Sequence, residues 1–361
     1  MNLIKNISIV AIASFLSVLV AELLLSFLNP IDLRSDPKWV ADGYTRGHYK
    51  PNQVIEGSIG HNVRNPNWRR EMAKYKLNNF GYKGDNWDPK KSNGIAFYGG
   101  SSTFSFHDNE INSWPFMTTK CLNSTGTLGY QTLNYSHPGY SIFDAPHLLL
   151  QKGQHFKADW IITYHLWNDI KFIKAVAADP NFLLNTSVAE SSTTIKSIIL
   201  DLKLLHNLVG NINVAYKKFA RDKNENSYEG LTKKKIENKD IDLGLSMIRN
   251  NYLSMINLSQ KNQKFLFIKQ GLLLDRGNPL HDREIDYELI GLDKAQFLET
   301  QKKYGLMLDQ IATDFSNVYV FDADAVIPKN LEMYEDHVHL QPQAQVLLAK
   351  SVCDYLKSVN F

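Results

Sequence analysis

Five short apolar runs, separated by long stretches with helical character, constrain this chain more than any other feature. They are Gly94-Ile95-Ala96-Phe97-Tyr98, Thr132-Leu133-Asn134-Tyr135, Trp160-Ile161-Ile162-Thr163-Tyr164, Phe265-Leu266-Phe267-Ile268 and Val318-Tyr319-Val320-Phe321. A strand with one wet face alternates apolar and polar residues. A continuously apolar run needs cover on both faces, and parallel strands receive it from the helices that connect them. The runs therefore predict an α/β fold: a doubly wound, five-stranded parallel sheet flanked by helices.

The first thirty of the 361 residues stand apart. From Ile7 to Leu28 the chain is apolar with Glu22 as its sole charge, Lys5 precedes it, and Asn29-Pro30 ends it. A helix of about 20 apolar residues spans a bilayer, so residues 1–30 are read as a membrane anchor with the remainder outside the cytoplasm, periplasmic or at the cell surface. A cleaved signal peptide is the competing reading, with Leu19-Val20-Ala21 as a poor cleavage site. Residues 31–90, rich in Gly, Asn, Pro and aromatics, read as a β-rich extension packed on the main domain of 91–361. About 171–262 reads as a helical insertion, a cap near the site: Ile195 to Phe219 and Leu243 to Leu258 have helical spacing, and Asp222 to Asp240 is a polar loop.

Composition removes other classes. A net charge of +3 with scattered Lys and Arg does not suit a dedicated nucleic-acid binder, and two cysteines make neither a disulfide scaffold nor a four-thiolate zinc site. No motif for a metal, nucleotide or flavin is present, so no cofactor is implied, and a P-loop is excluded because its lysine and spacing are missing.

Two distant segments carry chemistry. In Phe97-Tyr98-Gly99-Gly100-Ser101-Ser102-Thr103 a buried strand enters a glycine turn, and a serine opening a helix there can be a nucleophile beside backbone N–H groups, or merely a cap. In Asp336-His337-Val338-His339 a carboxylate three residues before a histidine can hold the imidazole tautomer that accepts a nucleophile's proton. His337, His339 and one Asp make an incomplete zinc set. Two more segments, Asn134 to Ser141 with Gly139 and Trp167-Asn168-Asp169, end the second and third strands. Ligands bind at the carboxyl ends of parallel strands, which places all four segments on one edge.

The constellation resembles the SGNH (GDSL-type) hydrolase family, named for Ser, Gly, Asn and His in separate blocks. The blocks match at Phe97 to Thr103, at Gly139, at Asn168-Asp169 and at Asp336 to His339, across roughly Asn93 to Asn360. The resemblance implies Ser101 as nucleophile, His339 as general base, Asp336 as its orienting acid, and the Ser101 amide, Gly139 and Asn168 as oxyanion donors. Gly100 stands where the family motif has Asp, and Trp167 stands where glycine is commoner. The Gly-Gly-Ser form and the Asn78 to Gly84 segment look like those of exported, membrane-anchored bacterial members.

The implied activity is a serine esterase acting on acetyl or short acyl esters of a carbohydrate or lipid. Acyl transfer to a cell-envelope polysaccharide by the same residues, and a non-catalytic envelope binding protein, are the other readings. Ser102 competes with Ser101 and His337 with His339; motif register favours Ser101 and His339. Asp169 reads as a helix cap before a substrate contact. His107, His137, His147, His155 and His165 read as packing or surface residues, with His165 and Trp167 able to line the pocket. Arg64, Arg69 and Arg70 read as solvated before anion-binding. In the strand order 2-1-3-4-5, the helices bearing Cys121 and Cys353 share a face, so the two can form a disulfide or stay as small buried hydrophobes.

Overall fold

The computed structural model describes residues 39–40, 47–56, 74–91, 93–105, 108–124, 129–178, 236–274 and 287–359. Apart from Trp39–Val40, these belong to one compact unit made of 41–188 and 232–361. The apolar run 7–28, the pattern Ile195 to Phe219, Arg64, Arg69, Arg70 and His107 lie outside the described residues. Among the described residues, no helix is long and apolar enough to cross a membrane.

In the extension, β1 (Val54–Glu56) pairs antiparallel with β2 (Lys74–Lys76). The five apolar runs form β3 (Gly94–Gly99), β4 (Gln131–Asn134), β5 (Trp160–His165), β6 (Lys264–Lys269) and β7 (Val318–Asp322). They make one parallel sheet of spatial order β4-β3-β5-β6-β7, the order 2-1-3-4-5 anticipated from the sequence. The central strands β3 and β5 are buried at every residue, as continuous apolar runs require.

Alternate residues point to opposite faces. Ile95, Phe97, Trp160, Ile162, Leu266 and Ile268 enter one core, while Ala96, Tyr98, Ile161, Phe265 and Phe267 enter the other. The first core is closed by α2 (Trp114–Asn123) and α7 (Pro342–Ser358); the second by α3 (Ala145–Gln151), α5 (Asn238–Leu258) and α6 (Lys294–Asp314). Helices α5 and α6 each begin at a reciprocal capping box, Glu237 with Asp240 and Asp293 with Gln296, which satisfies first-turn N–H groups.

The C-terminal part of the anticipated insertion is ordinary crossover structure rather than a cap. Ile241, Leu245, Ile248, Tyr252 and Met255 are buried at helical spacing in the sheet's core, so α5 belongs to the helical layer. It starts at Asn238, inside the stretch expected to be a loop. Across the other face, Cys121 of α2 and Cys353 of α7 form a disulfide with Cα atoms 6.3 Å apart.

The extension is tied in by a buried lysine that the sequence did not single out. Lys83 is 3% exposed. Its ammonium donates to the carbonyls of Phe104 (3.0 Å), Ser105 (2.7 Å) and Asp108 (2.5 Å), and lies near the rings of Tyr75 and Phe104. Three carbonyls turned inward have no water to replace that donor. Replacing Lys83 with Met is expected to lower the unfolding free energy by about 2 kcal/mol or more, read as a lower urea midpoint at unchanged slope. An unchanged midpoint would show that water reaches these carbonyls.

Candidate active site

The site is assembled at the carboxyl ends of β3, β4 and β5. After Gly99 the chain makes a single helical turn, α1 (Ser101–Phe104), whose Thr103 and Phe104 N–H groups donate to Gly100 O (3.1 and 2.9 Å). Ser105, at φ +54°, ends it. The helix expected after Ser101 is thus one turn, and Cys121 lies in the next helix. Ser101 is partly exposed at the first position of the turn, whereas Ser102 is buried and donates to Val338 O (3.1 Å). Of the two candidate serines, Ser101 is the one whose hydroxyl reaches the His339 ring.

The loop before α7 carries the imidazole. Glu335 N–H donates to His339 O (2.8 Å), and Leu273 N–H donates to His337 O (2.9 Å), which pins the loop to the chain following β6. Asp336 Oδ1 accepts the N–H groups of Val338 and His339, both at 2.8 Å. Its Oδ2 lies 2.7 Å from His339 Nδ1, and His339 Nε2 lies 2.7 Å from Ser101 Oγ. A carboxylate can only accept, so the proton between Asp336 and the ring sits on Nδ1. In the neutral ring Nε2 is then an acceptor, and Ser101 O–H donates to it.

Electrostatics agree with that proton order. Burial works to raise the Asp336 pKa, but the charge and hydrogen bond of His339, the nearby His337 and the Val338 N–H outweigh it and hold the carboxyl well below its ordinary range. Burial works to lower His339, and the charge and hydrogen bond of Asp336, with Glu335 behind, overcome it and raise the imidazole above 6.5. His337 packs on Trp167, ring centroids 4.1 Å apart.

Asn168 and Gly139 come from the neighbouring loops. Gly139 has φ +86°, a conformation that favours glycine, in a turn where Tyr140 N–H donates to His137 O (3.1 Å). Asn168 opens α4 (Trp167–Ala178) with Trp167 and Asp169, and its Nδ2 donates one hydrogen to Tyr140 O (2.8 Å). The amide carries two hydrogens, so the second remains for a ligand. Gly100 makes this approach possible: a Cβ there would lie 2.4 Å from Asn168 Nδ2 and 2.8 Å from Tyr140 O. A larger residue has no room at the position where the family motif carries Asp.

Ser101, Tyr140, Trp167, Asn168, Gln270 and Val338, with His165, line a narrow cleft. His137 packs among the rings of Tyr49, Phe104 and Tyr140, and His147 and His155 are exposed. Asp169 behaves differently from the cap expected of it: it is fully buried, and accepts from Ile142 N–H (2.8 Å) and Tyr304 O–H (2.7 Å). Gln270, which takes the Trp167 N–H (3.0 Å), was also not signalled by any motif.

No family model matches the chain, and no curated protein matches it. Solved structures do. A catalytic mutant of an acetylxylan esterase from Geobacillus stearothermophilus matches at 15% identity over 74% of this chain and 94% of that one, with a TM-score of 0.41. A member of the lipolytic protein G-D-S-L family from Veillonella parvula matches at 11% identity over 73% and 98%, also at 0.41. Likenesses this remote carry no weight in assigning chemistry; that rests on the distances above.

Proposed function

We propose that the chain is a serine esterase that hydrolyses acetyl or short acyl esters, carried on a carbohydrate or lipid, through an acyl-enzyme. The single observation behind this is the relay in which Ser101 Oγ, His339 and Asp336 are joined by two 2.7 Å hydrogen bonds. Ser101 Oγ attacks the ester carbonyl as Nε2 takes its proton; the imidazolium is held by Asp336 and then protonates the departing alkoxide. Water, deprotonated by the same nitrogen, resolves the acyl-serine. The Ser101 and Gly139 N–H groups and the free Asn168 hydrogen are assigned to the developing oxyanion. Tyr140, Tyr164 and Trp167 wall the narrow space beside Ser101, which leaves little room and favours a small acyl group. Fluorophosphonate labelling followed by peptide mapping tests the assignment: label on Ser101 supports it, and an unlabelled protein or label elsewhere refutes it.

The raised His339 pKa sets a pH profile. The imidazole acts as base only when neutral, so kcat/KM is expected to rise with pH along an acid limb centred above the ordinary 6.5 of histidine. Asp336→Asn removes the charge that raises it and should move that limb to lower pH. A wild-type limb below 6.5 would contradict the coupling.

We also propose that residues 7–28 anchor the protein with its catalytic domain outside the cytoplasm. The length of the apolar run supports this, as does the disulfide, since such bonds persist in oxidising compartments. Retention in the membrane fraction after carbonate washing, with protease access from outside, is the expected result; a soluble cytoplasmic protein would refute it.

A further inference from the structure

Two of the proposed oxyanion donors, Gly139 and Asn168, come from the turn after β4 and the first turn of α4, and a buried carboxylate joins those two segments. Asp169 follows Asn168 in the first turn of α4 and is 0% exposed. Its Oδ1 accepts the N–H of Ile142 (2.8 Å), three residues beyond Gly139. Its Oδ2 accepts the hydroxyl of Tyr304 (2.7 Å), which reaches in from α6, and the Tyr252 hydroxyl of α5 lies 2.8 Å from that of Tyr304. His165 Nδ1 is 3.9 Å from Oδ1. Beside this strap runs the second one, from Asn168 Nδ2 to Tyr140 O. Consecutive residues in the first turn of α4 thus grip the Gly139 loop at Tyr140 and Ile142.

Burying a carboxylate is costly unless donors take up its oxygens, and charge-assisted hydrogen bonds are among the strongest available to hold a loop. We infer that Asp169 is a positioning residue of the oxyanion hole: through Ile142 it fixes the loop bearing Gly139 against Ser101, and Tyr304 fixes Asp169. This rests on the esterase reading. Asp169 touches no reacting atom; its contribution is the placement of N–H donors, whose value falls steeply when they shift from the oxyanion.

The test measures kcat and KM on p-nitrophenyl acetate with the full chain, normalised to sites titrated by a fluorophosphonate. Asp169→Ala is expected to lower kcat per titrated site between about 10-fold and 100-fold with KM nearly unchanged. Asp169→Asn, whose amide oxygen still accepts from Ile142, should recover to within about fivefold of wild type, and Tyr304→Phe should fall between. Asn168→Ala combined with Asp169→Ala should cost less than the product of the two, because both act through one loop. A purely structural role would reduce the number of titratable sites and leave kcat per site unchanged, which overturns the inference. If Asp169→Ala does not fold, Tyr304→Phe decides: wild-type kcat per site overturns the inference, a lowered one supports it. Wild-type protein that does not label refutes the esterase reading itself, and this inference with it; wild-type labelling with unaltered Asp169 and Tyr304 variants refutes the inference alone.

Discussion

Ser101→Ala is expected to lower turnover of a small acetyl ester by about 10⁴-fold to 10⁶-fold, with little change in KM. Alanine removes the oxygen proposed to form the acyl-enzyme while leaving the Asp336–His339 pair, the Asn168 amide and the cleft in place. What survives is the catalysis available from oriented donors and bound water, which in serine triads is small beside the intact relay. His339→Ala should cost a similar factor, and the two replacements together little more than either, since each alone already breaks the one proton path. Ser102 cannot take over: it is buried, and its hydroxyl is engaged with Val338 O. Steady-state kinetics on purified variants read the effect. A Ser101→Ala protein within tenfold of wild type would remove the nucleophile from this site.

How far the site could be read in advance depended on chain separation. Asp336 and His339 are three residues apart, and their spacing alone suggests a carboxylate reaching Nδ1. Ser101 is 238 residues from His339, and their pairing was legible through the resemblance of the four blocks to one family, while the rule that parallel strands end on one edge allowed the segments to meet. The strands themselves were legible because β3 and β5 are buried on both faces and so are largely apolar.

Partnerships with no local signature were not. Asp169 beside a helix start looks like a cap; its partner Tyr304 is 135 residues on, in a helix whose amphipathic pattern hides that inward hydroxyl. Lys83 looks like a surface lysine between Tyr82 and Gly84, and only the fold shows that three carbonyls point at it. Helix α5 was assigned to a cap because the long gap between β5 and β6 suggests an insertion, although its apolar stripe already matched a sheet-packing helix. Polar contacts across the fold are set by tertiary placement, which periodicity does not encode.

Removing the Cys121–Cys353 disulfide is expected to destabilise the protein more than any change discussed outside the catalytic residues. The bond joins residues 232 apart, and in the chain-entropy view closing so long a loop restricts the unfolded chain by about 5 kcal/mol, of which 2 to 4 is a typical measured return. Cys121→Ala with Cys353→Ala should therefore lower Tm by on the order of 10 °C. The bond links α2, which follows Ser101, to α7, which follows His339, so it spans the two arms that carry the proposed nucleophile and base. Other contacts tie the same arms: Ser105 O–H and Trp114 N–H donate to Gln345 Oε1 (3.0 and 3.1 Å), and Ser102 O–H donates to Val338 O. Leu348, Val352 and Leu356 bury the α7 side of this joint. Below its lowered Tm the reduced or double-alanine protein should keep kcat within about twofold, because the relay is positioned by these contacts and the disulfide acts on the unfolded state. Thiol titration of denatured, unreduced protein should find no free thiol, and two after reduction. Two free thiols before reduction would show that the bond does not form. A kcat that falls with Tm would show that the bond holds Ser101 and His339 together in the folded protein.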